Sequence, residues 1–209
     1  MPIYLGNKRI QEINLGSAKI GSVYLGNTLV FQSWKEQFSY TVNSATPDPT
    51  QQGWTHYGND PTQIAANQYW YMLSNANTCY YERSLDLSGI SEIQLDWEAY
   101  TAGGINNNFY IRAWGKDWQI RLQFNDDGTL GTPIGILTFP GVRQWGKYSL
   151  IVNNEKQEAK LYGNGTLVTT IPYSRNSTTS ATNVIRWGCD NGYSNGDKLY
   201  VRTVNVKTR

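Results

Sequence analysis

The chain has 209 residues, a net charge of +2, and 16% charged residues. No Lys/Arg cluster provides the basic stripe of a nucleic-acid binder. One histidine, His56, and two cysteines, Cys79 and Cys189, exclude a His- or Cys-rich zinc site and make a Ser-His-Asp triad improbable. No apolar run is long enough to cross a bilayer as a helix, and Met1-Pro2-Ile3 does not open a signal peptide. A soluble protein made in the cytoplasm is expected, with no membrane insertion and with the two cysteines as separate thiols. The unusual counts are 8 Trp and 15 Tyr. Rings in this number, among many amides and hydroxyls, suit a β-protein with a wet recognition surface.

The first predicted elements are short. "IYLGNKRIQEINLGSAKIGSVYLGNTLVFQ" repeats a Leu-Gly-Asn/Ser phrase at Gly6, Gly16 and Gly26. Glycine first in a two-residue turn suits a type II′ hairpin, which needs a positive φ there. The predicted strands end at Leu5, then run Lys8–Leu15, Ala18–Leu25 and Thr28–Gln32, as a four-stranded meander with a bulge at Gly21. A meander this small buries little and needs support from neighbours. Residues 1–33 are therefore read as an anchoring module and 34–209 as the main domain.

These YLGN-type repeats resemble the N-termini of phage and prophage virion proteins, such as tail, fibre or capsid-associated proteins. The resemblance implies docking to other virion proteins, and so a virion location after synthesis in a bacterial host. It implies no chemistry.

From Trp34 onward no amphipathic helix appears. The alternation predicts strands at Asn67–Tyr71, Cys79–Asp86, Ile90–Tyr100, Asn108–Trp114 and Trp118–Phe124. Further strands follow at Lys147–Val152, Glu158–Gly163, Thr166–Pro172, Asn183–Cys189 and Lys198–Lys207. Strands at this spacing predict an all-β fold, a two-sheet antiparallel sandwich. Three segments carry a resemblance: "YYERSLDLSGISEIQLDWEAY", "QWGKYSLIVNNEKQEAKLYGNGTLVTTIP" and "NVIRWGCDNGYSNGDKLYVRTVNV". They resemble the concanavalin A-like lectin/glucanase jelly roll, including its laminin-G-like branch. The resemblance implies a jelly roll whose concave sheet is the usual glycan surface.

Side chains alternate across a strand. Ile93, Leu95, Trp97 and Ala99 form an apolar set opposed by Glu92, Gln94, Asp96, Glu98 and Tyr100. Phe109 and Ile111 oppose Tyr110, Arg112 and Trp114; Ile120 and Leu122 oppose Arg121. If the three strands are consecutive, their polar faces make one surface. Trp114 is then the stacking platform for a sugar, and Tyr110, Arg112, Arg121, Asp96 and Glu98 supply directed hydrogen bonds. The plain alternative is a solvated face with ion pairs such as Glu98–Arg112, each worth about 1 kcal/mol or less. Two loops add candidates: Trp54, His56 and Tyr57 in 53–61, and Tyr193 in 187–197. In the second loop Asp190, Asn195 and Asp197 are oxygen donors for Ca²⁺, but out of register with a calcium-loop phrase, so a plain turn is expected and no cofactor is required.

The related glucanases carry Glu-x-Asp-x-Glu on one strand. This chain has Gln94-x-Asp96-x-Glu98, with an amide where the nucleophile would stand. No catalytic residue is assigned. Three readings stay open: a non-enzymatic glycan-binding virion protein for host adhesion, a purely structural virion protein, and a glycan hydrolase or lyase. Homo-oligomerisation is compatible with each.

Overall fold

The structure, a computed structural model, describes residues 4–5, 8–9, 13–26, 28–43, 45–46, 48–58, 62–65, 69–74, 79–102, 107–112, 120–124, 129–132, 135–138, 144–172, 183–189 and 197–209, for some strand residues by backbone only. The N-terminal repeat folds as hairpins. β1 (Tyr4–Leu5) pairs with β2 (Lys8–Arg9), β3 (Ile13–Leu15) with β4 (Ala18–Ile20), and β5 (Ser22–Leu25) with β6 (Thr28–Gln32). Gly16 and Gly26 both have φ +61, as their turns require. Gly6 lies outside the described residues. The described residues do not show the expected continuous meander. Among the described residues these are three separate two-stranded sheets, and the predicted strand Ala18–Leu25 is interrupted at Gly21. The carbonyl of Gly21 instead accepts from the N–H of Ser33, at 2.7 Å.

The remaining regular elements among the described residues are strands, apart from a 3-10 turn at Pro49–Gln52. The strands are β7 (Lys35–Thr41), β8 (Thr55–Tyr57), β9 (Thr62–Ala65), β10 (Tyr69–Ser74) and β11 (Cys79–Ser84). Next come β12 (Glu92–Ala102), β13 (Asn107–Arg112), β14 (Ile120–Phe124), β15 (Thr129–Thr132) and β16 (Gly135–Thr138). The last are β17 (Gly146–Asn153), β18 (Glu158–Gly163), β19 (Thr166–Pro172), β20 (Val184–Cys189) and β21 (Asp197–Thr208). They form an antiparallel β-sandwich. The eight-stranded sheet runs β19-β18-β17-β12-β21-β10-β9, with β7 also on β21; the seven-stranded sheet runs β16-β15-β14-β13-β20-β11-β8.

Period-two alternation places the core between the sheets. Ile93, Leu95, Trp97 and Ala99 of β12 are buried as expected, facing Leu150 and Val152 of β17 and Val204 and Val206 of β21 across the register. The two layers are joined by rings around Trp187 of β20. Tyr40 of β7 stacks on it at 5.6 Å, Tyr81 of β11 at 5.0 Å, and Trp54 meets it edge-on at 5.8 Å. β7 has the plain alternation Gln37-Phe38-Ser39-Tyr40, with Phe38 and Tyr40 buried, yet it was not among the predicted strands; nor were the short strands β8, β9, β15 and β16.

Cys79 and Cys189 are register partners on β11 and β20. Cys79 is buried, with its Sγ 3.1 Å from Nε2 of His56. Beside them Gly188 (φ +154) lets the two strands close: a Cβ there would sit 2.4 Å from the Cys79 carbonyl oxygen and 2.6 Å from Tyr80 Cα.

Gly188→Ala must push backbone against backbone, and should cost about 1–3 kcal/mol in thermal or urea unfolding. Gly21→Ala meets open space without a positive φ and should stay within about 0.5 kcal/mol of the parent. A separate outcome concerns pH. Burial pushes the Tyr148 hydroxyl from 10.0 up to about 12, and burial, aided by Tyr81 and Asp48, also raises Tyr40. Unfolded tyrosines ionise near pH 10, so this contribution is complete below that pH and is lost as pH rises toward about 12. Melting temperature should fall across that window, and less steeply in Tyr148→Phe.

Candidate functional site

One edge of β21 serves two strands. β7 pairs with Thr203–Thr208 and β10 with Asp197–Val201, end to end. Arg202 falls between these two ladders; its carbonyl accepts from Val42 N–H at 3.0 Å. On the opposite edge the register with β12 shifts: Glu98 faces Thr203 and Ala99 faces Val201, leaving Arg202 as the extra residue. This is a β-bulge, which bends the strand and re-aims a side chain. Val201 and Val204 are buried on either side, while Arg202 and Thr203 both stay partly exposed.

Over the bulge lies a cleft of about 590 Å³, lined by Thr41, Val42, Tyr69, Glu98, Trp145, Arg202 and Thr203. Tyr69 and Trp145 bring their rings to its lining, and Tyr100 and Tyr200 pack against them. Tyr69 of β10 lies 6.2 Å from Trp145 and 5.1 Å from Tyr200 of β21, centroid to centroid. Tyr100 of β12 lies 6.1 Å from Trp145 and 5.4 Å from Tyr200. The Arg202 guanidinium stacks on the Trp145 indole, its Cζ 3.8 Å from the centroid, and its Nη1 donates to Glu98 Oε1 at 2.8 Å. Trp145 is placed by its neighbour: Gly146 pairs with Ala99 and is buried, and a Cβ on it would lie 2.4 Å from the Tyr148 hydroxyl oxygen. Among the described residues, the cleft thus combines flat apolar faces with the paired Arg202 and Glu98 and with two threonines. Its volume and lining fit a small polar molecule with an apolar face.

The residues expected to form one surface are divided between two sheets. Asp96 and Glu98 lie on β12 in the eight-stranded sheet, whereas Tyr110 and Arg112 lie on β13 and Arg121 on β14, in the seven-stranded sheet. The chain changes sheet between Ala102 and Asn107 instead of turning back on itself. Alternation within a strand is the same in either case, so it carried no sign of the crossing. Glu98 pairs with Arg202, and Arg112 stands in the other sheet. Asp96 accepts from the Gln94 amide at 2.8 Å and from Lys207 Nζ at 2.8 Å. Tyr110 stands in register with Arg186 and Arg121, and Arg112 with Val184. Trp114, Tyr193, Asp190 and Asn195 lie outside the described residues; Asp197 opens β21 opposite Ser74.

The 53–61 loop candidates separate. Trp54 is 3% exposed and edge-on to Phe38 at 5.5 Å, so it is core and offers no platform. His56 stacks on buried Tyr81 at 4.9 Å. Tyr57 is 44% exposed and stacks on Tyr80 at 5.0 Å, with the Arg186 guanidinium 3.7 Å over the same Tyr80 ring. Arg186 is also paired with Glu82. This second aromatic surface belongs to the sheet that carries Tyr110, Arg112 and Arg121.

Sequence reasoning missed Tyr69, Trp145, Tyr200 and Arg202 as a group. Tyr200 and Arg202 share parity on β21, but a bulge has no signature in "DKLYVRTVNV", and the approach of β10 to that strand is set by topology.

The sequence matches no protein-family model and no curated protein. Solved structures do match. A carbohydrate esterase of the Shiga toxin-encoding bacteriophage phi24B superposes at TM-score 0.61 with 12% identity, over 85% of this chain and 100% of that one. A structure of botulinum neurotoxin type C, a toxin dependent on two ganglioside molecules to get into cells, matches at TM-score 0.57 and 11% identity. The match covers 82% of this chain, which spans about half (47%) of the toxin chain. A sialidase matches at TM-score 0.56 and 11% identity, over 74% of this chain and 17% of that one. At these identities the likeness is one of fold: the chain shares its β-sandwich with domains of a phage carbohydrate esterase, of neurotoxins and of a sialidase.

Proposed function

We propose that the protein is a non-enzymatic glycan-binding module of a phage virion, used for adhesion to the host surface. The observation that carries the reading is the cleft over Arg202, where the rings of Tyr69 and Trp145, with Tyr100 and Tyr200 packed against them, border the same space as the Glu98–Arg202 pair. A pyranose has an apolar C–H face for an aromatic ring and hydroxyls for planar charged groups; the cleft offers both within one small volume. The shared fold with a phage carbohydrate esterase and with a ganglioside-dependent toxin supports a carbohydrate ligand. The N-terminal hairpins support attachment to a particle, because short two-stranded sheets do not stand alone. Binding is favoured over hydrolysis by the state of the two acids: Asp96 is held by Gln94 and Lys207, and Glu98 by Arg202.

A glycan array probed with the full chain should give hits that Trp145→Ala weakens by about 1–3 kcal/mol, the scale of ring stacking on bases, with an unchanged melting temperature. Tyr57→Ala, on the other sheet, should leave those hits unchanged. Loss through Tyr57 and not Trp145 would move the site to the seven-stranded sheet; release of reducing ends from a bound glycan would favour the hydrolase reading. Removal of residues 1–33 should abolish incorporation into particles while sparing glycan binding and melting. Unfolding of the shortened chain would show that the hairpins share the sandwich core.

A further inference from the structure

We infer that Cys79 and Cys189 are a disulfide-forming pair that locks β11 to β20 once the chain meets an oxidising medium. The sequence has two cysteines, and the fold sets them opposite each other at the end of the β11–β20 ladder. Opposite Cα atoms of an antiparallel pair lie about 4.5–5.5 Å apart, inside the roughly 4.4–6.8 Å that a disulfide spans. Residues opposite in register also share one face of the sheet. The next pair on that face is Tyr81 and Trp187, both buried and stacked at 5.0 Å across the same ladder. The cysteine pair therefore ends the inner row that these rings occupy. Between the two pairs, Gly188 keeps the strands close, since a Cβ there would meet the Cys79 carbonyl oxygen at 2.4 Å.

Cys79 is fully buried, so a bulky oxidant has to react first at Cys189, which ends β20. With a small-molecule disulfide such as oxidised glutathione, the Cys189 thiolate attacks one sulfur and one glutathione thiolate leaves. The resulting mixed disulfide stands opposite Cys79. The Cys79 Sγ lies 3.1 Å from Nε2 of His56, within reach for the imidazole to accept the thiol proton. The Cys79 thiolate then attacks the Cys189 sulfur, the Cys79–Cys189 bond forms, and the second glutathione leaves as thiolate. Two electrons pass from the two cysteines to one glutathione disulfide, which takes up the two released protons as two thiols. Excess thiol in a reducing cytosol drives the exchange backwards, so the bond closes only outside it. It ties residues about 110 apart in the chain, a span for which loop closure gives a large stabilisation. The pair sits in the seven-stranded sheet, whereas the cleft is built on β21 and β12 of the other.

The test uses the full chain, reduced, then incubated with oxidised glutathione at fixed pH, alkylated in denaturant and weighed. The monomer should carry no alkylated thiol and no glutathione, and should yield a Cys79–Cys189 cross-linked peptide. Its melting temperature should rise by about 10 °C over the reduced protein and fall back with dithiothreitol. Two alkylated thiols, a lasting glutathione adduct, or a disulfide between two chains each overturns the pair. A Cys79–Cys189 bond that leaves the melt unchanged or lowers it overturns the lock. Cys79→Ser should stop at a glutathione adduct on Cys189, and Cys189→Ser should stay reduced; an adduct on Cys79 in the latter overturns the order of the steps. His56→Gln should slow closure at least about tenfold, and an equal rate removes His56 from the step. The parent's mass and melt decide the bond and the lock even if a variant does not fold.

Discussion

β21 offers one edge to two strands, and the rest of the functional surface depends on how that edge is divided. An unbroken partner along all of β21 would leave no gap at Arg202. Because β7 stops pairing at Thr203 and β10 starts at Val201, one residue is left between two ladders. The register on the β12 side absorbs it as a bulge between Glu98 and Ala99. A bulge adds local twist and sends two successive residues to one face. Here they are Arg202 and Thr203, and both line the cleft together with Tyr69 and Trp145.

The bulge can be held only if the strands on each side are fixed from below. The ring cluster about Trp187 does this for β7: Tyr40, in register with Val204, stacks on Trp187 of the opposite sheet. On the β17 side, Trp97 stacks on Tyr148 at 5.3 Å, one layer beneath Glu98 and Lys147. Each such pair adds about 0.5–1.5 kcal/mol beyond its buried area. The aromatic richness of the sequence is therefore divided. Trp54, Trp97 and Trp187 are core, while Trp145 belongs to the outer face.

This division explains what was legible in the sequence. Strand parity was: the apolar set on β12 is buried as its alternation predicts, and β18 and β19 have the boundaries their hairpin phrase implies, with Asn164 and Gly165 at positive φ in the turn. Sheet membership was not. The polar residues of β12, β13 and β14 read as one surface because period-two alternation reports which side of a strand is wet and nothing about which sheet the strand joins. Trp54 sits among Gly, Pro and Asn and so reads as loop, yet the 3-10 turn before it is capped by Asp48 and directs the ring inward against Phe38 and Trp187. The cleft itself depends on a one-residue register shift, and composition does not encode such a shift.

The outer face of β12 and β21 carries three acid–base pairs along its length: Glu92–Arg209, Asp96–Lys207 and Glu98–Arg202. Charge alone therefore does not mark the site. The first and last pairs even share a design, since Arg209 stacks on Trp34 at 4.4 Å as Arg202 stacks on Trp145 at 3.8 Å. They differ in what surrounds them. Arg209 and Glu92 are 12% and 13% exposed, and backbone bonds from Ser91 and Glu92 to the Arg209 carbonyl close over them. That pair is a clasp that holds the C-terminus to the start of β12. Arg202 and Glu98 are 39% and 21% exposed, at the point where the strand edge is interrupted. The same chemistry closes the sheet where pairing is continuous and borders an open cleft where pairing breaks. What separates the two pairs is exposure: one is closed over by backbone, the other is left facing the cleft.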